Sequence, residues 1–146
     1  MSSDHEEEEI RRIMADWCKA TEERDYDRMI AHYHPDVVRY DPCVPNAVVG
    51  AIQVRDLWAQ VLAHFPAKLS AVQTDIDVSV DGNTAMFRGM HRFIPLVDEE
   101  QWKDKLNWVR FSCWYKKIDG KWLVVHEHVS MPFNYLTGTV IPAQPN

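Results

Sequence analysis

The sequence predicts an α+β fold in which three N-terminal helices pack on one face of a curved antiparallel sheet. Apolar residues recur at helical spacing up to Phe65, and period-two alternation takes over from Val72. The strand-like half is punctuated by Asp81-Gly82 and Asp119-Gly120, which are hairpin signals. No internal repeat or low-complexity segment interrupts the order.

Ser3 and Glu6 have capping-box spacing, and Ile10, Ile13, Met14, Trp17, Cys18 and Thr21 follow at helical period, predicting a first helix over about 4–24. Asp25 is placed to cap a second helix over 26–33, which Pro35 stops. A short strand is expected over 37–41. Pro42, Pro45 and Gly50 make a loop into a third helix over 52–65, whose apolar face is Leu57, Trp58, Val61, Leu62 and Phe65. Val72, Thr74, Ile76, Val78 and Val80 alternate up to Asp81-Gly82, and Ala85, Phe87, Gly89, His91 and Phe93 alternate on the returning strand. Residues 98–104 read as a charged loop. The chain reads as one domain over 1–146, with a frayed terminus at 1–5 and an irregular tail at 133–146.

The last hairpin carries the densest chemistry. Arg110, Ser112, His126, His128 and Ser130 fall at period-two spacing on its two strands. A three-residue loop, Ile118-Asp119-Gly120, would pair Lys117 with Lys121, Ser112 with His126 and Arg110 with His128. A two-residue Asp119-Gly120 turn would slip that register and mix polar with apolar residues on both faces. The three-residue reading leaves a second face of Val109, Phe111, Cys113, Tyr115, Leu123, Val125 and Val129, broken only by Glu127. The polar face is expected to line a pocket and the apolar face to form an interface.

A chain of 146 residues holds a core and still has room for a cavity, since folding at this size removes roughly 70% of the unfolded chain's surface from water. The net charge of −6 and the lack of a basic stripe argue against nucleic acid and against an anionic membrane surface. Cys18, Cys43 and Cys113 lie far apart without CxxC spacing, and the acidic start has no apolar run, so a cytoplasmic address is expected. No GxSxG, P-loop or GxGxxG motif is present to support covalent serine or nucleotide-dependent chemistry.

The segment VRFSCWYKKIDGKWLVVHEHVSMPF closely resembles the SnoaL-like, ketosteroid isomerase-like branch of the nuclear transport factor 2-like (NTF2-like) superfamily. That branch has an Arg-x-Thr strand, a Gly-x-Trp turn and a His-x-His-x-Ser strand. Arg110 and Ser112 stand at the first, with Ser in place of Thr, Gly120 and Trp122 at the second, and His126, His128 and Ser130 at the third. More loosely, His34 to Asp36 and the Tyr40 to Pro42 segment are similar too. The resemblance implies a cone-shaped fold around a mostly apolar pocket, work without cofactor or metal, and homodimers through the outer sheet face. It leaves the reaction open, because this scaffold hosts many chemistries.

The resemblance places an acid at the cavity mouth at Asp41, the alternative being a turn aspartate bonded to local backbone. Tyr40 points the opposite way on a regular strand. The leading expectation is a cofactor-independent lyase, isomerase or cyclase acting on a small apolar, aromatic or polyketide-like molecule. Asp41 would be the base, His128 the proton donor and Arg110 the stabiliser of negative charge. Tyr40, Trp17, Trp58, His91, Ser112, Trp114, His126 and Ser130 would contact the substrate. Two other readings are a non-catalytic ligand-binding or association module and a metal-dependent enzyme using His126, His128 and His91.

Overall fold

Helical periodicity followed by alternation produces the order α1 (Ser2–Glu23), α2 (Tyr26–Met29), β1 (Tyr33–Tyr40), β2 (Val48–Val49), α3 (Ala51–Leu62), β3 (Leu69–Asp81), β4 (Thr84–Pro95), α4 (Glu99–Trp102), β5 (Val109–Ile118), β6 (Lys121–Ser130), β7 (Phe133–Asn134) and β8 (Thr139–Val140). The structure is a computed structural model that describes the backbone of residues 2–146 and side chains from Asp4 onward. Six strands form one sheet in the order β2-β1-β6-β5-β4-β3, antiparallel throughout except for the parallel β1–β6 pair. The helices cover its inner face, where Ile10, Met14, Ala20, Val54, Trp58 and Leu62 meet Phe87, Phe93, Phe111 and Tyr115 in the core. No helix among the described residues is long and apolar enough to cross a membrane.

The expected capping box needs the Ser3 side chain, which lies outside the described residues. Met1, within the expected frayed terminus, lies outside them as well, and from Ser2 the backbone is already helical. Glu6 instead reaches across to the last hairpin, accepting from Lys117 Nζ at 2.6 Å and from the Trp122 indole N–H. At its other end α1 stops where Arg24 turns left-handed at φ 56°. The Arg24 guanidinium then donates to the carbonyl of Leu62, the last residue of α3, and to the Pro66 and Ala67 carbonyls in the segment that follows it.

Asp25 caps α2 by accepting from the Arg28 N–H at 3.2 Å. This helix is shorter than expected, because β1 begins at Tyr33 and runs through Pro35. Proline is tolerated there near the start of a strand, where its missing N–H costs no ladder bond. The charged loop after β4 contains the single turn α4, and the tail folds back as the β7–β8 hairpin with a bridge from Trp108 to Ala143.

The β5–β6 hairpin corrects the expected register. Asp119 and Gly120 sit at φ 50° and 77°, forming a two-residue turn in which Ile118 pairs with Lys121. The three-residue loop is not formed. Val125 is then left out of the ladder as a bulge, so Trp114 faces His126, Ser112 faces His128 and Arg110 faces Ser130. The bulge restores the parity that the tighter turn removes, and the polar residues end on one face after all. A second bulge, at Asp75 with φ 56°, splits β3 so that Leu69, Ala71 and Gln73 precede it on the inner side and Val78 follows it.

The two faces are the reverse of the expectation. Arg110, Ser112, Trp114 and His128 are exposed on the outer face, whereas Phe111, Cys113, Tyr115, Val124 and Glu127 are buried on the inner one. Burying the outer set would strand several polar groups, whereas the inner set presents one charge that needs a partner. That partner is Arg39, directly opposite Glu127 on β1.

Candidate active site

The inner face and the helices enclose a cavity of about 340 Å³ lined mainly by apolar and aromatic side chains. This is the size and character of a small-molecule site. Strand β1 reaches it through period-two spacing: Val37 and Arg39 are buried, and Asp41, just beyond the strand, lines the cavity. Tyr40 points to the outer face and is 47% exposed.

Arg39 is the electrostatic centre of the cavity and only 4% exposed. Its Nε donates to Asp41 Oδ2 at 2.9 Å, with a second nitrogen 2.8 Å from the same oxygen, and a third group bonds Glu127 Oε1 at 2.7 Å. The Tyr33 hydroxyl donates to the other Glu127 oxygen at 2.7 Å, and the Cys43 N–H donates to Asp41 Oδ1 at 2.8 Å. Both carboxylates are thereby held in fixed orientation by charge-assisted bonds. Asp41 satisfies local backbone and lines the cavity at once, so the two sequence alternatives for it coexist. Burial, followed by the neighbouring Glu127 charge, holds the Tyr33 phenol well above its ordinary range, so it stays a donor. The same two causes, in that order, keep the Cys113 thiol protonated.

His91, inward on β4, has ring contacts with Phe93 at 4.5 Å and Trp17 at 5.5 Å. Burial, and secondarily the Arg39 charge, lower its pKa to about 3, so it is a neutral imidazole at physiological pH. Neither ring nitrogen has a hydrogen-bond partner among the described residues, and the same holds for the indole nitrogens of Trp17 and Trp58. Such groups are costly to leave unpaired in a protein interior.

The acid response of folding follows from His91. Its folded pKa lies below the ordinary 6.5, so the unfolded chain takes up a proton first as pH falls, and this contribution to stability is progressively lost between about 6.5 and about 3. His91→Phe is expected to flatten the fall in Tm between pH 7 and pH 4.5 relative to the parent chain. Thermal unfolding of both proteins at the two pH values checks this, and parallel falls would place the His91 ring in water.

Of the residues expected to form the site, Asp41, His91, Trp17 and Trp58 line the cavity. Arg110, His128, Ser112, Trp114, His126 and Ser130 belong to the opposite face of the sheet, as does Tyr40, and none of them lines it. There Tyr40 packs edge-on against His126 and His128 at 4.8 and 5.3 Å, and His126 Nδ1 lies 2.7 Å from the Val38 carbonyl oxygen. Because His91 faces inward and the other two histidines outward, the three do not form one cluster. Among the described residues no group of three His, Cys, Asp or Glu side chains is placed to hold a metal ion. Of the residues expected at the interface, Val109, Phe111, Cys113, Tyr115 and Val129 line the cavity instead, while Leu123 pairs with exposed Lys116 and Val125 forms the bulge.

Arg39, Glu127 and Tyr33 are functional candidates that sequence pattern passes over. The signal for Glu127 is its isolation in an apolar face, and for Arg39 its parity with Val37 and Asp41.

Comparison with known proteins places this geometry in a family. A family model described as a SnoaL-like domain matches residues 10–134. An NTF2-like protein of unknown function from Pseudomonas putida KT2440 is similar in structure with a TM-score of 0.88 and 25% identity, covering 99% of each chain. An NTF2-like family protein from Streptomyces avermitilis, provisionally described as a dehydratase, has a TM-score of 0.72 at 18% identity, covering 90% of this chain and 99% of that one. A protein from Novosphingobium aromaticivorans, provisionally described as a scytalone dehydratase, has a TM-score of 0.69 at 14% identity, covering 85% of this chain and 82% of that one. At those identities the last two show a shared fold alone. No curated protein matches the chain.

Proposed function

The chain belongs to the SnoaL-like family of the NTF2-like superfamily, and from that premise we propose that it is a lyase- or isomerase-type enzyme that moves a proton within a small, largely apolar, oxygen-bearing molecule, using its own side chains. The observation that carries this reading is the meeting, in one cavity, of clamped carboxylates with buried ring nitrogens that lack partners.

In this scheme the Asp41 carboxylate takes a proton from carbon beside a carbonyl, and negative charge moves to the carbonyl oxygen. Neutral His91 and the indole N–H groups of Trp17 and Trp58 supply hydrogen bonds to that oxygen, fixed in place before the reaction starts. Asp41 then returns the proton to another carbon or passes it to a departing hydroxyl. Arg39 aims Asp41 through two nitrogens on one oxygen, Glu127 and Tyr33 brace Arg39 from the other side, and none of the three takes a proton.

The test is proton exchange, which requires no knowledge of the natural substrate. Enolisable aryl ketones such as 1-tetralone, incubated with the protein in D2O and followed by NMR, should gain deuterium beside the carbonyl faster than in buffer or with heat-unfolded protein. Exchange at the buffer rate across such a series would overturn the reading. A second reading, a ligand-binding module without turnover, is favoured by one feature: Arg39 holds both carboxylates, so lone pairs that a base would use are already occupied by its N–H groups. Binding without exchange would select it.

The three free cysteines support a cytoplasmic address for this activity. Self-association through the outer sheet face is part of the same proposal, resting on different residues from those the sequence suggests. Tyr40, Met86 and Trp114, exposed by 47%, 43% and 40%, form its apolar component. Light scattering at low micromolar concentration should give twice the chain mass, and Trp114→Glu should halve it. A monomeric parent chain would reject this interface.

A further inference from the structure

The Arg110-x-Ser112 pair of the last hairpin is not used by the inner cavity, and its surroundings form a second hollow on the outer face of the sheet. Residues 142–146 make one wall of it. The Ile141 N–H donates to the Pro132 carbonyl at 2.9 Å, Ala143 bridges to Trp108, and the Asn146 N–H donates to Asp75 Oδ2 at 2.8 Å, so this segment is tied down along its length. Met90, an outward residue of β4, is only 8% exposed and Ala143 only 7%, although neither joins the core cluster under the helices. Together they give the hollow, of about 510 Å³, an apolar floor of its own.

Strand pairing sets four outer-face positions in a square, with Arg88 opposite Ser112 and Met90 opposite Arg110. The two guanidinium groups thus share one diagonal, a separation of roughly 7–8 Å in an antiparallel sheet, which long side chains span. Like charges so placed repel unless an anion lies between them. Among the described residues the Arg110 side chain has no hydrogen bond or ion pair, and Arg88 meets an acid only in Asp77, 3.4 Å away, with both of those side chains more than half exposed. An exposed pair of that kind contributes little. The one carboxylate that lines the hollow, Asp75, already accepts from the Asn146 N–H. The lining therefore holds two positive groups and one negative, in a chain whose net charge is −6. Ser112, on the other diagonal with Met90, adds a hydroxyl donor beside the arginines.

The geometry points to a second binding site here, for a small organic carboxylate whose oxygens bridge Arg88 and Arg110 and accept from Ser112, and whose apolar body lies on Met90 and Ala143. A guanidinium fork matches the two oxygens of a carboxylate, and charge-assisted bonds of this type are the stronger ones. The site is on the opposite face of the sheet from the inner cavity and does not depend on the reaction proposed above.

Fluorine NMR of 4-fluorobenzoate titrated with the protein at pH 7 and low salt tests it, with 4-fluorobenzamide as the uncharged isostere. The carboxylate is expected to reach half-saturation on the order of 1 mM and to bind at least roughly tenfold more tightly than the amide. Arg88→Gln and Arg110→Gln should each weaken carboxylate binding about tenfold, and Arg110→Lys should recover only part of the loss. Both arginines are exposed, so thermal unfolding should not change, and the comparison of acid with amide in the parent chain requires no variant. Inorganic phosphate, which lacks the apolar body, should displace the carboxylate only at several-fold higher concentration. Equal binding of acid and amide, affinity undiminished in both glutamine variants, displacement by phosphate at equal concentration, or no binding at roughly ten times the expected half-saturation would each overturn the inference. A halved mass for Arg110→Gln in light scattering would assign that guanidinium to a neighbouring chain and overturn it as well. Deuterium exchange on 1-tetralone should keep the parent rate in both glutamine variants, so failure of this site and failure of the proposed activity read out separately.

Discussion

Arg39→Met should destabilise the protein by about 3–5 kcal/mol, because it leaves Asp41 and Glu127 as uncompensated charges inside the cavity. For a chain of this length that is a fall in Tm on the order of 10 °C, read by circular dichroism on heating. The guanidinium contributes through both carboxylates at once, and its face also lies 5.1 Å from the centre of the Trp58 ring. Arg39→Lys should recover only part of the loss, since one ammonium cannot reproduce a planar fork that reaches two acids. Removing all three charges together, as Arg39→Met with Asp41→Asn and Glu127→Gln, should cost less than Arg39→Met alone. A loss below about 1 kcal/mol for Arg39→Met is the range of a solvated surface pair, and would mean that water reaches the carboxylates.

Asp41→Asn should slow deuterium exchange of a bound aryl ketone by at least about 100-fold, the usual contribution of a positioned acid–base group. The amide keeps the shape of the side chain, and its oxygen still accepts from Arg39 or from the Cys43 N–H. Ketone affinity should therefore change little, and the effect should appear in turnover rather than in KM. Glu127→Gln is the control, because Glu127 is tied by Arg39 on one oxygen and Tyr33 on the other and is assigned to positioning. Unchanged exchange in Asp41→Asn would remove that residue from the chemistry and leave Glu127 as the carboxylate to examine. Outer-face substitutions such as Arg110→Ala and His128→Ala should leave the exchange rate at the parent value.

Why the fold was readable and most of the site was not comes down to a few residues. Ile10, Met14, Trp17 and Thr21 announce a helix with one buried face, and Ala85, Phe87, His91 and Phe93 announce an inward strand face, because periodicity is a local property of the chain. Arg110, Ser112, His126 and His128 likewise announce a shared face. Which side of a sheet the helices cover is a tertiary outcome, however, decided by comparing the cost of burying each face as a whole. Glu127 looks like a flaw in an apolar face until Arg39 is placed opposite it, and that pairing joins β1 to β6 across most of the sequence. A parallel pair so distant leaves no local pattern. The turn and the Val125 bulge offset each other, which is why the wrong loop length still gave the right parity.

The bulges at Val125 and Asp75 also determine how the cavity's capacity is stored. A bulged strand bends and twists more strongly than a regular one, so two such bends curl the sheet around the space that the rings line. Val125 takes no place in the ladder, and a chain lacking it would still pair Trp114 with His126 and Tyr115 with Val124. Every side chain would keep its face while the sheet flattened. The room available to a ligand is therefore encoded partly in a count of backbone units, separately from the chemistry of the wall, and a one-residue deletion would resize the chamber without altering any group that touches its contents.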